Sequence, residues 1–185
     1  MRVTIVRFTV PDVMSRADQL VDVYRAMYAL PPASSRGFEQ TLREHARREG
    51  FRLCVAQESE GDTLVGFGYG FTGQVGQPWR DSLALALDQA TRDQWLSDYF
   101  ELAELGVIPT FRRQGIGGHL HDHMMAGAPH PRSVLTVRTN NEPAKQFYRR
   151  RGWLVLHEGF ISASGRGPYI VMGSALARTP DEVAN

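Results

Sequence analysis

Residues 101–118, ELAELGVIPTFRRQGIGG, constrain this chain more than any other stretch. A strand-like run ends at Pro109. A basic, glycine-rich turn follows, Arg112-Arg113-Gln114-Gly115-Ile116-Gly117-Gly118, and the pattern then reads as helix to about Met125. Glycines between a strand and a helix let backbone N–H groups approach an anion, and the helix N-terminus adds partial positive charge. The stretch therefore reads as a cradle for a phosphate-bearing ligand. Two common phosphate loops are excluded. No Gly-Lys-Ser/Thr follows, so this is not the loop of the nucleotide triphosphatases. The GxGG run also lacks the third glycine of a dinucleotide fingerprint.

The flanking sequence supplies a mixed set of elements. Residues 3–9 alternate as a strand. A helix is expected from Pro11-Asp12, with Val13, Ala17, Leu20, Tyr24 and Met27 at helical spacing, ending at Pro31-Pro32. Phe38, Leu42 and Ala46 mark a second helix, closed by Gly50 as a C-cap. Residues 51–58 and 64–71 read as a hairpin across Glu60-Gly61-Asp62. Gly66, Gly68 and Gly70 alternate on its second strand, which leaves one face bare for a close approach by a ligand, by backbone or by a bulky helix.

Residues 73–99 form an insert that turns helical from about Asp81. It is read either as a lid or as a scaffold or dimer contact. A strand over 100–108, the cradle and its helix come next. Then come a strand at 133–139, a helix at 143–151 capped by Asn141 or Glu142, and strands at 152–161 and 168–176. The fold class is mixed α/β (α+β): a mostly antiparallel sheet of six or seven strands with one parallel, right-handed β-α-β crossover and helices on both faces.

The chain has 185 residues, 42% of them hydrophobic, which suits a single domain over 1–178 with a polar tail at 179–185. A net charge of +1 gives no global field toward nucleic acid or membrane. No run approaches the roughly 20 apolar residues of a membrane helix. The first residues carry too much charge for a signal peptide, so a soluble cytoplasmic protein is expected. Cys54 excludes an internal disulfide and reads as a plain buried thiol.

Two motifs together are far more specific than the glycine turn alone. The first is Leu105-Gly106-Val107-Ile108-Pro109 followed by Arg112-x-x-Gly115-x-Gly117. The second is Asn141-x-x-Ala144-x-x-x-Tyr148-x-x-x-Gly152-Trp153. Over residues 100–153 this pattern resembles the acetyl-CoA-binding core of the GNAT superfamily of N-acetyltransferases. The resemblance implies that Arg112, Arg113, Gln114, Gly115, Ile116, Gly117 and Gly118 hold the coenzyme pyrophosphate through backbone N–H groups. It implies that Leu105, Gly106 and Val107 pair with the pantetheine arm, that Asn141 and Ala144 lie beside it, and that Tyr148 sits near the thioester sulfur. Trp153 replaces the usual phenylalanine. Thr136 stands where acetyltransferases of ribosomal-protein N-termini carry glutamate, which argues against that scheme.

The implied reaction is acetyl transfer from acetyl-CoA to a primary amine by direct attack in a ternary complex. The amine must lose a proton first, and Glu101 and Glu104 are the candidate bases. Alternation groups Glu101 with Leu105 and Val107 and sets Glu104 opposite, and a bulge would reverse that phase. Tyr148 is the candidate acid, since an ordinary phenol titrates at about 10 and can protonate a leaving thiolate. A backbone N–H near Val107 is the candidate oxyanion donor. Acids outnumber bases across residues 81–104, so the acceptor is expected to be a small cationic amine, with Trp79, Trp95 and Tyr99 as candidate stacking surfaces.

The remaining candidates read more plainly. His119 and His123 share a helix face but lack a third ligand in register, so no metal is expected, and His45 and His157 take no role. Arg149-Arg150-Arg151 reads as a solvated face before it reads as a phosphate contact. No nucleic-acid or membrane partner is expected, and monomer and homodimer stay open. Two other functions remain in play: a non-catalytic acyl-CoA sensor, and a protein N-acetyltransferase.

Overall fold

A computed structural model describes residues 2–31 and 36–176, so the expected tail at 179–185 and Pro32 lie outside the described residues. The elements run β1 Val3–Phe8, α1 Val10–Ser15, α2 Ala17–Tyr28, α3 Arg36–His45, β2 Arg52–Glu58, β3 Leu64–Thr72, α4 Pro78–Ala86, α5 Gln89–Trp95, β4 Phe100–Val107, α6 Ile116–Met125, β5 Arg132–Arg138, α7 Glu142–Arg149, β6 Leu154–Phe160 and β7 Tyr169–Ala175. The strand order is β1-β2-β3-β4-β5-β7-β6. The β4–β5 pair is parallel, and β1–β2, β2–β3, β5–β7 and β6–β7 are antiparallel. This is the expected mixed, mostly antiparallel sheet. No helix among the described residues is long and apolar enough to cross a membrane.

The chain divides into two compact units, residues 1–71 with 102–126, and residues 72–101 with 127–185. Strand β4 changes unit after Glu101.

In the first unit, α1, α2 and α3 cover strands β1–β3. Val13, Leu20, Val23, Met27, Phe38 and Leu42 meet Leu53, Val55, Phe67 and Tyr69 in one core. The expected single helix is instead two. A capping box opens α1, with Asp12 N–H donating to Thr9 Oγ1 and Thr9 N–H donating to Asp12. The turn breaks at Arg16 (φ −115°, ψ 21°), and α2 begins at Ala17. Helix α2 then stops at Ala29, in the left-handed conformation at φ 51°, before either proline is reached. Cys54 is buried, as expected, and burial pushes its thiol up from the ordinary value.

The second unit packs α4 and α5 with β5, β6 and β7 around Leu83, Trp95, Tyr99, Val134, Phe160 and Val171. The insert at 73–99 is thus mostly helix with a buried face. His130 ties three connections of this unit together: Nδ1 lies 2.5 Å from Asp98 Oδ1 and Nε2 lies 3.0 Å from Thr72 Oγ1. A carboxylate only accepts, so Nδ1 carries a proton.

Candidate active site

The cradle belongs to the first unit. Strand β4 leads through a short 3-10 turn, Pro109–Phe111, into α6. Arg113 at φ 62° and Gly115 at φ 82° both take the left-handed region. A non-glycine residue held there is uncommon, and residues alternating in this way curve successive N–H groups into a concavity. Gly115 is the N-cap of α6 and supplies no side-chain cap. The first N–H groups of the helix, at Ile116 and Gly117, therefore have no intrahelical acceptor. Gly118 N–H already closes onto Gly115 O at 2.9 Å.

Arg112 departs from its expected role. Its N–H donates to Pro109 O at 3.2 Å. Its guanidinium donates to Val107 O at 2.9 Å and to Met27 O at 2.6 Å. Arg112 is thus a brace between the end of β4 and the last turn of α2, where a cation also meets the negative helix terminus.

Close backbone approach holds the strand that feeds the cradle. A Cβ on Gly66 would sit 2.7 Å from Gly106 O, and one on Gly68 would sit 2.7 Å from Leu105 Cδ1. The bare face of β3 is filled by backbone of β4 at Gly66 and, at Gly68, by the Leu105 side chain with Met124 of α6 at 3.4 Å. A Cβ on Gly106 would meet Met27 Cε at 2.1 Å, so this glycine lets α2 press on the strand.

Glu104 is half-buried on this strand. It accepts a short hydrogen bond from the hydroxyl of Tyr28, the last residue of α2. Burial pushes its carboxyl up to about 7, against the opposing pull of the Tyr28 hydroxyl and the Leu105 N–H. Ala103 packs into the core containing Met27.

The second unit carries the other candidates. Glu101 is 6% exposed, and Tyr99 donates to its Oε2 at 3.4 Å. Burial, then the Glu101 charge, pushes the Tyr99 hydroxyl far up. Asn141 is the N-cap of α7, its Oδ1 accepting from Ala144 N–H at 3.2 Å. The N–H of Ala144 is therefore committed to the cap. Tyr148 is buried, with Phe147 and Trp153 against it edge-on at 5.1 and 5.4 Å. Gly152 at φ 79° ends the segment after α7 and lets Trp153 turn in beneath Tyr148.

The expected stacking aromatics are core residues. Tyr99 has no exposure and Trp95 has 7%. Trp79 packs edge-on against Phe160 and Tyr169 at 5.3 and 5.5 Å. Three of the four acids of the insert are engaged as well: Asp81 with Arg80 and Gly76 N–H, Asp88 as the cap of α5, Asp98 with His130. Helix spacing in a polar-looking segment concealed a buried stripe, and capping carboxylates counted as free charge. Sequence reasoning also missed Tyr28. Only its place at the end of a helix preceding a turn could have drawn notice, since its partner lies 76 positions away.

Among the described residues no cluster of His, Cys, Asp and Glu is placed to hold a metal ion. His121 Nδ1 lies 2.9 Å from Asp122, and His123 Nδ1 lies 2.8 Å from His119 O.

Comparison with known proteins places this geometry in a family. Residues 17–153 match the family model of the acetyltransferase (GNAT) family. The chain is 27% identical over 161 residues to a GCN5-like protein acetyltransferase of Mycobacterium tuberculosis, covering 72% of this chain and 78% of that protein. Its fold is similar to that of aminoglycoside 6'-acetyltransferase type Ii, with TM-score 0.66, 20% identity and coverage of 96% and 99% of the two chains. It is also similar to PaiA N-acetyltransferase from Thermoplasma acidophilum in complex with coenzyme A, with TM-score 0.57, 15% identity and coverage of 95% and 99%. A family model spanning most of the chain, on a sheet with the expected single parallel pair, makes this protein a member of the GNAT acetyltransferase family and an N-acetyltransferase.

Proposed function

We propose that this enzyme acetylates a primary amine with acetyl-CoA as donor, by direct attack, with Glu104 as general base. The observation that carries the reading is the half-buried Glu104 carboxyl, titrating at about 7 on the strand that enters the anion cradle. A base works best when its pKa lies near the operating pH, because it is then both largely ionised and basic enough to take a proton. Glu101, buried against Tyr99, is the weaker candidate.

The N–H groups of residues 113–117 suit a pyrophosphate, and the cradle is where the coenzyme would be held. When bound, acetyl-CoA supplies an electrophilic thioester carbon and a thiolate leaving group. The chain's own groups do the rest. The Glu104 carboxylate takes a proton from the acceptor ammonium and leaves a free amine. The N–H near Val107 donates to oxygen as negative charge develops there. As the C–N bond replaces the C–S bond, the Tyr148 hydroxyl gives its proton to the departing sulfur, and the second proton lost by the nitrogen restores the phenol. No covalent enzyme intermediate is required.

A small-molecule amine was the expected acceptor. A protein amine is the second reading, favoured by the M. tuberculosis relative, which is named a protein acetyltransferase. The engagement of three of the insert's acids also weakens one argument for a small cation. A panel of polyamines, aminoglycosides, amino acids and lysine-containing peptides, incubated with acetyl-CoA and read by thiol release, separates the two. Acetyl-CoA binding with no release on the whole panel would overturn the enzymatic reading in favour of a sensor.

A further inference from the structure

We infer that Tyr28 is a positioning residue for the base: its hydroxyl holds one carboxylate oxygen of Glu104 and leaves the other to take the amine proton. The inference rests on the proposal that Glu104 is that base.

The hydroxyl of Tyr28 donates to Glu104 Oε1. A carboxylate offers lone pairs on two oxygens, so a donor fixed on one of them orients the second. The donor itself is held from three sides. Tyr28 is the final residue of α2, and the chain turns left-handed at Ala29 immediately after it. Its ring meets Tyr24 edge-on at 5.0 Å, and Tyr24 stacks on Phe38 at 3.8 Å. The helix end is braced from the far side by Arg112, bonded to Met27 O. An exposed side chain with such a ring contact and a braced backbone keeps its hydroxyl in place better than a free tyrosine would.

The groups that face Glu104 are few. From α2 there is Tyr28. From β4 there is the Leu105 N–H. The Arg112 guanidinium lies at the strand's end, on Val107 O and Met27 O. Strand β3 offers only the bare face of Gly66 and Gly68. Among the described residues Tyr28 is the one side-chain donor on the carboxylate. It favours the ionised form against the upward push of burial. Without it the base would be protonated over more of the neutral range, and its second oxygen would lose its fixed direction.

The phenol can be removed without removing the ring. Tyr28→Phe keeps the contact to Tyr24, and the side chain is 48% exposed, so the variant should fold as the parent does. Two readouts are needed. The Glu104 carboxyl, followed by carbon-detected NMR titration, should titrate about half to one unit higher in Tyr28→Phe, water replacing part of the lost bond. The acid limb of kcat/KM against pH should move up by the same amount, with the high-pH plateau reduced by roughly threefold to tenfold from lost orientation. Carboxyl titration within a tenth or two of a unit of the parent would overturn the inference directly. An acid limb that survives in Glu104→Gln would overturn the base assignment, and the inference with it, by a route the NMR titration does not share.

Discussion

Replacing Gly66 by alanine tests a close backbone contact in the first unit. The new Cβ would lie 2.7 Å from Gly106 O, 3.1 Å from Val107 Cγ2 and 3.2 Å from Val107 Cα. A carbon in ordinary contact needs about 3.5 Å, so something must give by half an ångström or more. Two of these three atoms are backbone, and no side chain can swing away to relieve them. The strand β4 has to move, although its end is tied by Ile108 N–H to Val65 O at 2.9 Å. Overpacking of this kind costs about 1–3 kcal/mol, offset in part by the ~0.5–1 kcal/mol by which alanine outdoes glycine in a strand. A net loss of about 1–2 kcal/mol predicts a melting temperature lower by about 3–7 °C for a domain of this size. The moved atoms include the carbonyl of Gly106, so kcat/KM should fall by roughly tenfold as well. Differential scanning calorimetry and the thiol-release assay read the two effects. Gly37→Ala is the control, since a Cβ at that helical position meets nothing within 4 Å and should leave the melting temperature unchanged or slightly higher. A Gly66→Ala protein that melts within 1 °C of the parent would refute the reasoning.

Two further outcomes follow from the geometry. His45 lies against Phe71 with Nδ1 3.2 Å from Tyr69 Oη, and burial lowers its pKa to about 4. The unfolded chain thus binds more protons between about 6.5 and 4, and stability attached to this residue is lost as pH falls through that window, by about 2 kcal/mol after allowing for partial exposure. Glu104, whose pKa is raised, acts in the opposite sense between about 4.5 and 7, so the effect is read as a difference: urea midpoints of His45→Gln should depend less on acid than those of the parent, and equal dependence would sink the assignment. Asn141→Ala should lose about 1 kcal/mol by uncapping α7, whereas Asn141→Ser keeps the cap. If the asparagine also contacts the coenzyme, the serine variant will melt like the parent yet show a KM for acetyl-CoA raised several-fold.

Local chemistry made the fold and the donor site legible in the sequence. Gly115 and Gly152 take positive φ beside α6 and α7, whereas Gly50, also at positive φ, lies five residues beyond α3, which stops at His45, and so is not its C-cap. Asn141 caps α7 through its own side chain, and the strand-turn-helix at 100–118 was readable because it is one continuous piece of chain. Long-range contact decided the rest. Tyr28 reaches a carboxylate 76 positions away, and Arg112, which reads as an anion ligand, turns back to a carbonyl on α2 85 positions away. Trp95 and Tyr99 have their surroundings set by β5, β6 and β7 and not by their neighbours in sequence.

Neither glutamate on β4 differs from the other in local sequence. Burial, a function of what the rest of the chain lays over each, is what raised one of them to about 7 and placed the other against Tyr99. Spacing and turn chemistry act over a few residues, so the sequence by itself determined the family, the sheet and the strand-turn-helix at 100–118. Desolvation and side-chain partners act through space, so only the tertiary structure could distinguish the two carboxylates and bring Tyr28 to one of them.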